Sequence, residues 1–178
     1  MIIENVTQIG NPILRKKSKK VEKTNSQETK QVIENLVDSM RFYNLVGMAA
    51  GQIGEKLRIF VTEIRKTPTR TPESVDNLRI FINPKIIWRS KKQIIMYEGC
   101  GSVANGNLFG PVKRSEKIKI RAMNENGKSF KLKTDGLLAR VAQHECDHLN
   151  GIEFVEKITD IKKLMSKSEY LKMVEKSK

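Results

Sequence analysis

Histidine is almost missing from this sequence, with two residues in 178, and cysteine is equally scarce, with Cys100 and Cys146. Two cysteines make a poor disulfide framework, and a chain of this length buries about two thirds of the surface its unfolded form exposes, so it needs no covalent staple. No apolar run approaches the roughly 18 residues of a membrane span. The opening Met1-Ile2-Ile3-Glu4-Asn5 lacks the basic start and apolar stretch of a signal peptide. These absences predict a cytoplasmic chain with reduced thiols, forming one domain over residues 1–178. Acid is scarce beside base: 34 Lys and Arg against 20 Asp and Glu leave a net charge of +14. Such a field attracts polyanions, RNA or a ribosomal surface above all. The lysines are spread along the whole chain without an aromatic-rich ribbon, so dedicated nucleic-acid recognition is not expected.

No repeat or low-complexity segment is present. Residues 1–24 read as irregular, with Gly10-Asn11-Pro12 as a break and Val6, Ile9, Ile13 and Leu14 expected to lie over a core. A helix is predicted over 27–43, from an Asn25/Glu28 capping box and from Val32, Ile33, Leu36, Val37 and Met40 at helical spacing. Short β-rich runs at 57–62, 78–82, 85–88 and 93–97 predict strands, with Asn83-Pro84 as a turn and 66–76 as an exposed loop. Residues 116–134 predict a hairpin about Asn126-Gly127. Asp135 can cap a helix that Gly151 stops, and 158–176 reads as a last, Lys-rich helix with Ile161, Leu164, Met165, Leu171 and Val174 on one side.

Both histidines fall in Gln143-His144-Glu145-Cys146-Asp147-His148. At 3.6 residues per turn, His144 and His148 stand one turn apart on one face, and Glu145 is turned about 100° from His144. Two imidazoles can close on one metal, while the Glu reaches the reacting water without being a ligand, the geometry that the HExxH pattern uses for hydrolysis. The extended pattern HExxHxxGxxH would supply a third histidine, but that position is Phe154. Cys146 is turned about 200° from His144 and is expected to pack on the far side. Cys100 remains, a thiol between two glycines in Glu98-Gly99-Cys100-Gly101-Ser102, and a Cys–His–His set suits a tetrahedral site with one position open. A bound metal lowers the pKa of water from about 15.7 toward 7, and Glu145 can take its proton and return it to a leaving nitrogen. Gln52 Nε2 and the Gly101 N–H are candidate donors to the developing oxyanion.

With these residues in place the chain resembles the peptide deformylases over nearly its whole length. Gly47-Met48-Ala49-Ala50-Gly51-Gln52 is similar to the family's GΦGΦAAxQ, Glu98 to Ser102 to its EGCΦS, and Gln143 to His148 to its QHExDH; Asn11 to Arg15 and Asp135 to Arg140 also look typical. The resemblance implies an α+β fold, antiparallel strands packed around a central metal-binding HExxH helix, with an N-terminal and a C-terminal helix. It implies removal of the formyl group from the N-terminal formylmethionine of new polypeptides. Cys100, His144 and His148 would bind one divalent ion, usually Fe²⁺ in the family with Zn²⁺, Ni²⁺ or Co²⁺ substituting. Glu145 would be the acid/base, Gln52 and Gly101 N–H would hold the oxyanion, and backbone at Val46, Gly47 and Gly99 would pair with the peptide as an added strand. The last Lys-rich helix is similar to the one the family docks on the ribosome. Three positions depart from the pattern: Leu45 replaces a glycine, Gly101 a leucine, and Ala104 a proline, and residues 103–112 run about two residues long. They leave two alternatives, a relative deformylating another N-formyl compound and a weakly active ribosome-binding relative. A general zinc endopeptidase is disfavoured by Phe154.

Overall fold

A computed structural model of the chain describes residues 4–68 and 70–176. The first regular helix, α1 (Gln27–Phe42), is capped by Ser26, whose hydroxyl accepts from Thr29 N at 3.2 Å, and not by Asn25. Its apolar stripe, Val32, Ile33, Leu36, Val37 and Met40, is buried as the periodicity predicts.

Among the described residues eight strands follow the predicted order only in part: β1 (Gly47–Ala49), β2 (Ile59–Ile64), β3 (Asp76–Arg89), β4 (Gln93–Gly99), β5 (Leu108–Ser115), β6 (Ile118–Met123), β7 (Ser129–Thr134) and β8 (Met165–Ser166). All pairs are antiparallel, in a five-stranded sheet β1-β2-β3-β6-β7 and a three-stranded sheet β4-β5-β8. With α1, the helices α2 (Gly136–His148) and α3 (Lys167–Lys176) complete a mixed α/β fold.

Strand alternation sends the two faces of the larger sheet to different partners. Ile59, Val61, Met48 and Ile82 pack in the α1 cluster, whereas Phe60, Phe81, Ile118, Ile120 and Ala49 pack with Ala139, Ala142, Cys146 and Leu149 around α2. Phe60 and Phe81 stack at 4.4 Å between centroids. Ile59, Phe60 and Val61 of β2 are therefore consecutive apolar residues, because both faces of the strand are covered there.

Several expectations are corrected. Asn83-Pro84 is not a turn: β3 runs through it on a bulge, where Asn83 takes φ +51° and its side chain bonds Val21 N and O at 2.9 and 2.8 Å. A bulge is where a strand tolerates proline's missing N–H. Residues 108–115, for which the sequence predicts no strand, form the central strand of the smaller sheet, with Gly110 and Pro111 inside it. The last helix begins at Lys167 and not near 158, because Met165–Ser166 pairs with β5 first; Ile161 is exposed on a short 3₁₀ turn. In the N-terminal segment Leu14 is buried, but Ile9 stays 39% exposed.

Asp135 is the N-cap residue of α2, without a side-chain bond, and the helix ends against the N-terminal segment. There Gly151 takes φ +76°, and a Cβ on it would lie 2.4 Å from the carbonyl oxygen of Arg15. At Gly54, φ is +80° with nothing within 4 Å of the same position. Left-handed backbone costs a non-glycine residue about 1–2 kcal/mol, so Gly54→Ala is expected to lose about that much in urea unfolding. Gly151→Ala is expected to lose clearly more, since backbone must also move.

Candidate metal centre

The site forms where α2 meets the edges of both sheets. One donor atom each from Cys100, His144 and His148 comes within 4.8 Å of the others, Cys100 and His148 being buried and the His144 side chain 11% exposed. His148 Nε2 lies 3.2 Å from Cys100 Sγ, and Ser102 N donates to the same sulfur at 3.4 Å. The glycines beside Cys100 have separate reasons. A Cβ at Gly99 would touch the Phe109 ring at 2.9 Å, and one at Gly101 would lie 3.0 Å from Leu45 Cδ1.

Each imidazole has its outer nitrogen facing a carboxylate. His144 Nδ1 and Glu98 Oε2 are 3.0 Å apart. His148 Nδ1 lies 3.5 Å from Glu153 Oε1, an ion-pair distance without a hydrogen bond. Such partners fix ring orientation and leave the inner nitrogen for a metal. Burial opposes ionisation of Cys100, but the imidazoles of His148 and His144 pull its thiol down to about 6. Burial also opposes a charged His144, and contacts with the Cys100 sulfur and Glu98 lift it to about 9; His148, against Cys100, is raised well above 6.5. The Cys100 sulfur, the two oriented imidazoles and their mutual distances fit a divalent ion, which would displace the thiol proton and the extra imidazole protons on binding.

Glu98 is held by more than His144. Arg114 Nε and its neighbouring nitrogen donate to the two Glu98 oxygens at 2.6 and 2.9 Å, and Arg140 donates to Oε1 at 2.5 Å. Arg114 also reaches Asp147 at 2.7 Å, and Arg140 reaches the carbonyl oxygens of Ile94 and Val112. Burial alone would raise the Glu98 pKa, but the hydrogen bonds from His144 and Arg114 hold it well below the usual carboxylate range. The sequence motifs contain Glu98 and Arg140 but gave no sign of Arg114 or of Glu153. A buried charge needs a partner distant in the chain, and spacing does not reveal it.

Glu145 is also buried, and its Oε2 has no hydrogen-bond partner among the described residues. Desolvation pushes its carboxyl up to about 7. It fits against β1 because Gly47 has no side chain: a Cβ there would lie 2.6 Å from Glu145 Oε1. Gln52 is oriented from its other end, Oε1 accepting from Ala49 N at 2.8 Å while Nε2 donates to Ser102 Oγ at 3.3 Å and Cys100 Sγ at 3.5 Å. Cys146 packs behind the helix near Phe60 and Phe81, and burial pushes its thiol up to about 12. Phe154, where a third histidine would stand in the longer pattern, is buried with Cys100, Val103 and Val112.

A cleft of about 460 Å³ opens onto these groups. Val46 and Gly47 line one side and Met96 to Gly101 the other, so the edge strands β1 and β4 face each other across it. Leu45, Leu137 and Val141 give it apolar surface, and Tyr170 of α3 stacks on Phe109 at 4.3 Å to close one end. Leu45 and Gly101 face each other at the rim, so two of the sequence departures are neighbours in space. Residues 104–106 make a 3₁₀ turn in which Ala104 and Asn105 both take positive φ, held by Asn105 N donating to Gln8 Oε1 at 2.9 Å. Ala104 at φ +48° stands where a proline, locked near −65°, could not.

A family model described as polypeptide deformylase matches residues 3–164. The chain is 39% identical over 159 residues to the peptide deformylase of Dictyoglomus thermophilum, covering 89% of this chain and 95% of that one. It is 36% identical over 176 residues to that of Pseudothermotoga lettingae, covering 99% and 95%. Among solved structures it is similar to the Met-Ala-Ser-bound class I type b peptide deformylase of Acinetobacter baumannii, with a TM-score of 0.82 and 32% identity over 88% of this chain and 99% of that one. The Thermotoga maritima peptide deformylase gives a TM-score of 0.78 at 31% identity, covering 90% and 100%.

Gly101→Leu alone overfills the contact with Leu45 and is expected to lose about 1–3 kcal/mol in urea unfolding. Leu45→Gly/Gly101→Leu should recover most of that loss; equal losses in the single and double variants would show that the two positions are uncoupled. Glu98 adds a pH signature. Its pKa lies lower in the folded than in the unfolded chain, so its contribution is complete above its ordinary value of 4.5 and is lost as pH falls below that. Unfolding free energy should drop with acid in the wild type and fall less steeply below pH 4.5 in Glu98→Gln.

Proposed function

The chain belongs to the polypeptide deformylase family, and from that we infer a metal-dependent hydrolase that removes the formyl group from the N-terminal formylmethionine of nascent polypeptides. The observation that carries this reading is the convergence of Cys100, His144 and His148 within 4.8 Å, beside a buried Glu145 with one oxygen unpartnered.

In this proposal Cys100, His144 and His148 are the metal ligands, which makes α2 the central metal-binding helix of a single catalytic domain. The resemblance favours Fe²⁺, with Zn²⁺, Ni²⁺ or Co²⁺ able to substitute. When bound, a divalent ion supplies a Lewis acid that makes water a better nucleophile near neutral pH. Glu145 takes the proton as the water oxygen adds to the formyl carbon. Its carboxyl, placed near 7 by burial, then protonates the leaving amino nitrogen as the C–N bond breaks and formate departs. Gln52 Nε2, fixed through Ala49 N, and the Gly101 N–H donate to the oxyanion that develops on the formyl oxygen. The peptide lies between β1 and β4, with Val46, Gly47 and Gly99 offering it backbone partners. Because Leu45 and Gly101 compensate each other, we read this chain as an ordinary member of the family and not as one turned to another formyl compound.

No helix among the described residues is long and apolar enough to cross a membrane. We place the enzyme in the cytoplasm, in transient contact with the ribosome, where its substrates emerge. The Lys-rich α3 supports that contact by resemblance.

On formyl-Met-Ala, the anaerobically prepared Fe²⁺ or Ni²⁺ enzyme is expected to release formate, and a chelator to stop it until metal is restored. Glu145→Ala should lower kcat by about 10²–10⁴-fold. Gln52→Ala should cost about 2.7–4 kcal/mol of barrier, or roughly 10²–10³-fold. Wild-type rates no higher than those of Glu145→Ala would overturn the assignment.

A further inference from the structure

The outward face of β3, β6 and β7 carries a charge pattern that the fold itself does not call for. It is the α1 side of the sheet, where Ile82 and Met123 still pack into the α1 cluster. Beyond them, five exposed cations stand together: Lys85, Lys119, Arg121, Lys131 and Lys133. The register sets Lys85 opposite Arg121, Arg121 opposite Lys131, and Lys119 opposite Lys133. Like charges directly opposite each other on adjacent strands are destabilising. Among the described residues none of the five is in an ion pair, and two acids beside these strands are paired elsewhere, Asp135 with Lys117 and Glu116 with Lys92, which leaves the exposed Glu125 of the β6–β7 turn as the acid at the border of the patch.

Within this patch Trp88 lies opposite Lys119 and is 43% exposed, with Lys119 Nζ 5.6 Å from its ring centroid. None of these residues lines the cleft. The strands are about 4.8 Å apart, and same-face residues along one strand about 6.7 Å apart, so the charges form a grid bordered by one aromatic. Phosphates satisfy such a grid, and an open indole beside it gives a base a surface to stack on. An acidic protein would use the charges and leave the indole unexplained.

We propose that this sheet face binds RNA, with Lys85, Lys119, Arg121, Lys131 and Lys133 taking phosphates and Trp88 stacking on a base. The assignment does not rest on the deformylation reading, and formate release serves as its independent control. Trp88 is the single tryptophan of the chain, so its emission reports on the face directly.

The test is fluorescence anisotropy of the full chain with a labelled 20-nucleotide oligouridylate across a KCl series. Five phosphate contacts predict a slope of log K on log salt of about −3.5, at roughly 0.7 per contact on a single strand. Saturation should quench Trp88. The triple variant K85E/K119E/K131E turns all three like-charge pairs into opposite ones, so it should fold at least as stably by thermal melt. It should nevertheless bind at least about 10-fold more weakly, with a slope shallower by about 2. The charge-matched control K17E/K20E/K30E should stay within about 3-fold of wild type. Trp88→Ala should weaken binding about 5-fold or more and leave the slope unchanged. Equal losses in both triple variants would assign binding to the overall charge and overturn the proposal. So would Trp88 emission that RNA leaves unchanged, or that phosphatidylserine vesicles quench and RNA does not. Formyl-Met-Ala turnover should be unaltered in all variants.

Discussion

The arrangement depends on one buried carboxylate. Glu98 stands at the end of β4 and is shared by Arg114 from β5 and by Arg140 and His144 from α2. Taking such charges out of water costs several kcal/mol each, and the cost is recovered only when geometry and hydrogen bonding are nearly complete. Here both oxygens of Glu98 accept, and the two arginines also donate to Asp147 and to the carbonyl oxygens of Ile94 in β4 and Val112 in β5. The same cluster that binds the smaller sheet to the helix also sets which nitrogen of His144 faces Cys100. Structural support and the orientation of a candidate ligand are one interaction.

Small residues do the complementary work. Gly47 lets the Glu145 carboxyl approach β1, and Gly99 lets Phe109 pass beneath the cleft. The contact between Leu45 and Gly101 shows what is constrained at the rim, which is the shared volume and not the identity of either residue. Looked at separately, each position suggests a damaged motif. Together they share one space, which Leu45 fills and Gly101 leaves free.

Much of the site was legible in the sequence because it uses rare residue types. Two histidines at helical spacing, one glycine-flanked cysteine and one amide in a run of small residues left few other assignments, and the structure brings Gln52, Cys100, Glu145 and both histidines together. Long amphipathic periods were equally clear, as in α1. A turn signal misled where tertiary contacts overrode it: Asn83-Pro84 is a bulge tied to Val21. Partners remote in sequence, such as Arg114 and Glu153, left no trace. The basic sheet face was half visible, since lysines alternate with apolar residues in both arms of the 116–134 hairpin. Only the register shows that like charges meet and that Trp88 lies beside them.

Sequence separation has a final consequence for the metal donors. Cys100 lies 48 residues from both Gln52 and His148, and its sulfur reaches them only after the two sheets and α2 have assembled. An unfolded chain offers an ion just the local His144/His148 pair. The complete set exists only in the native topology, so an ion held by all three residues binds the folded state in preference and shifts the folding equilibrium by mass action. Occupancy of the centre is thereby coupled to how long the whole chain stays folded, including strands that never approach the ion.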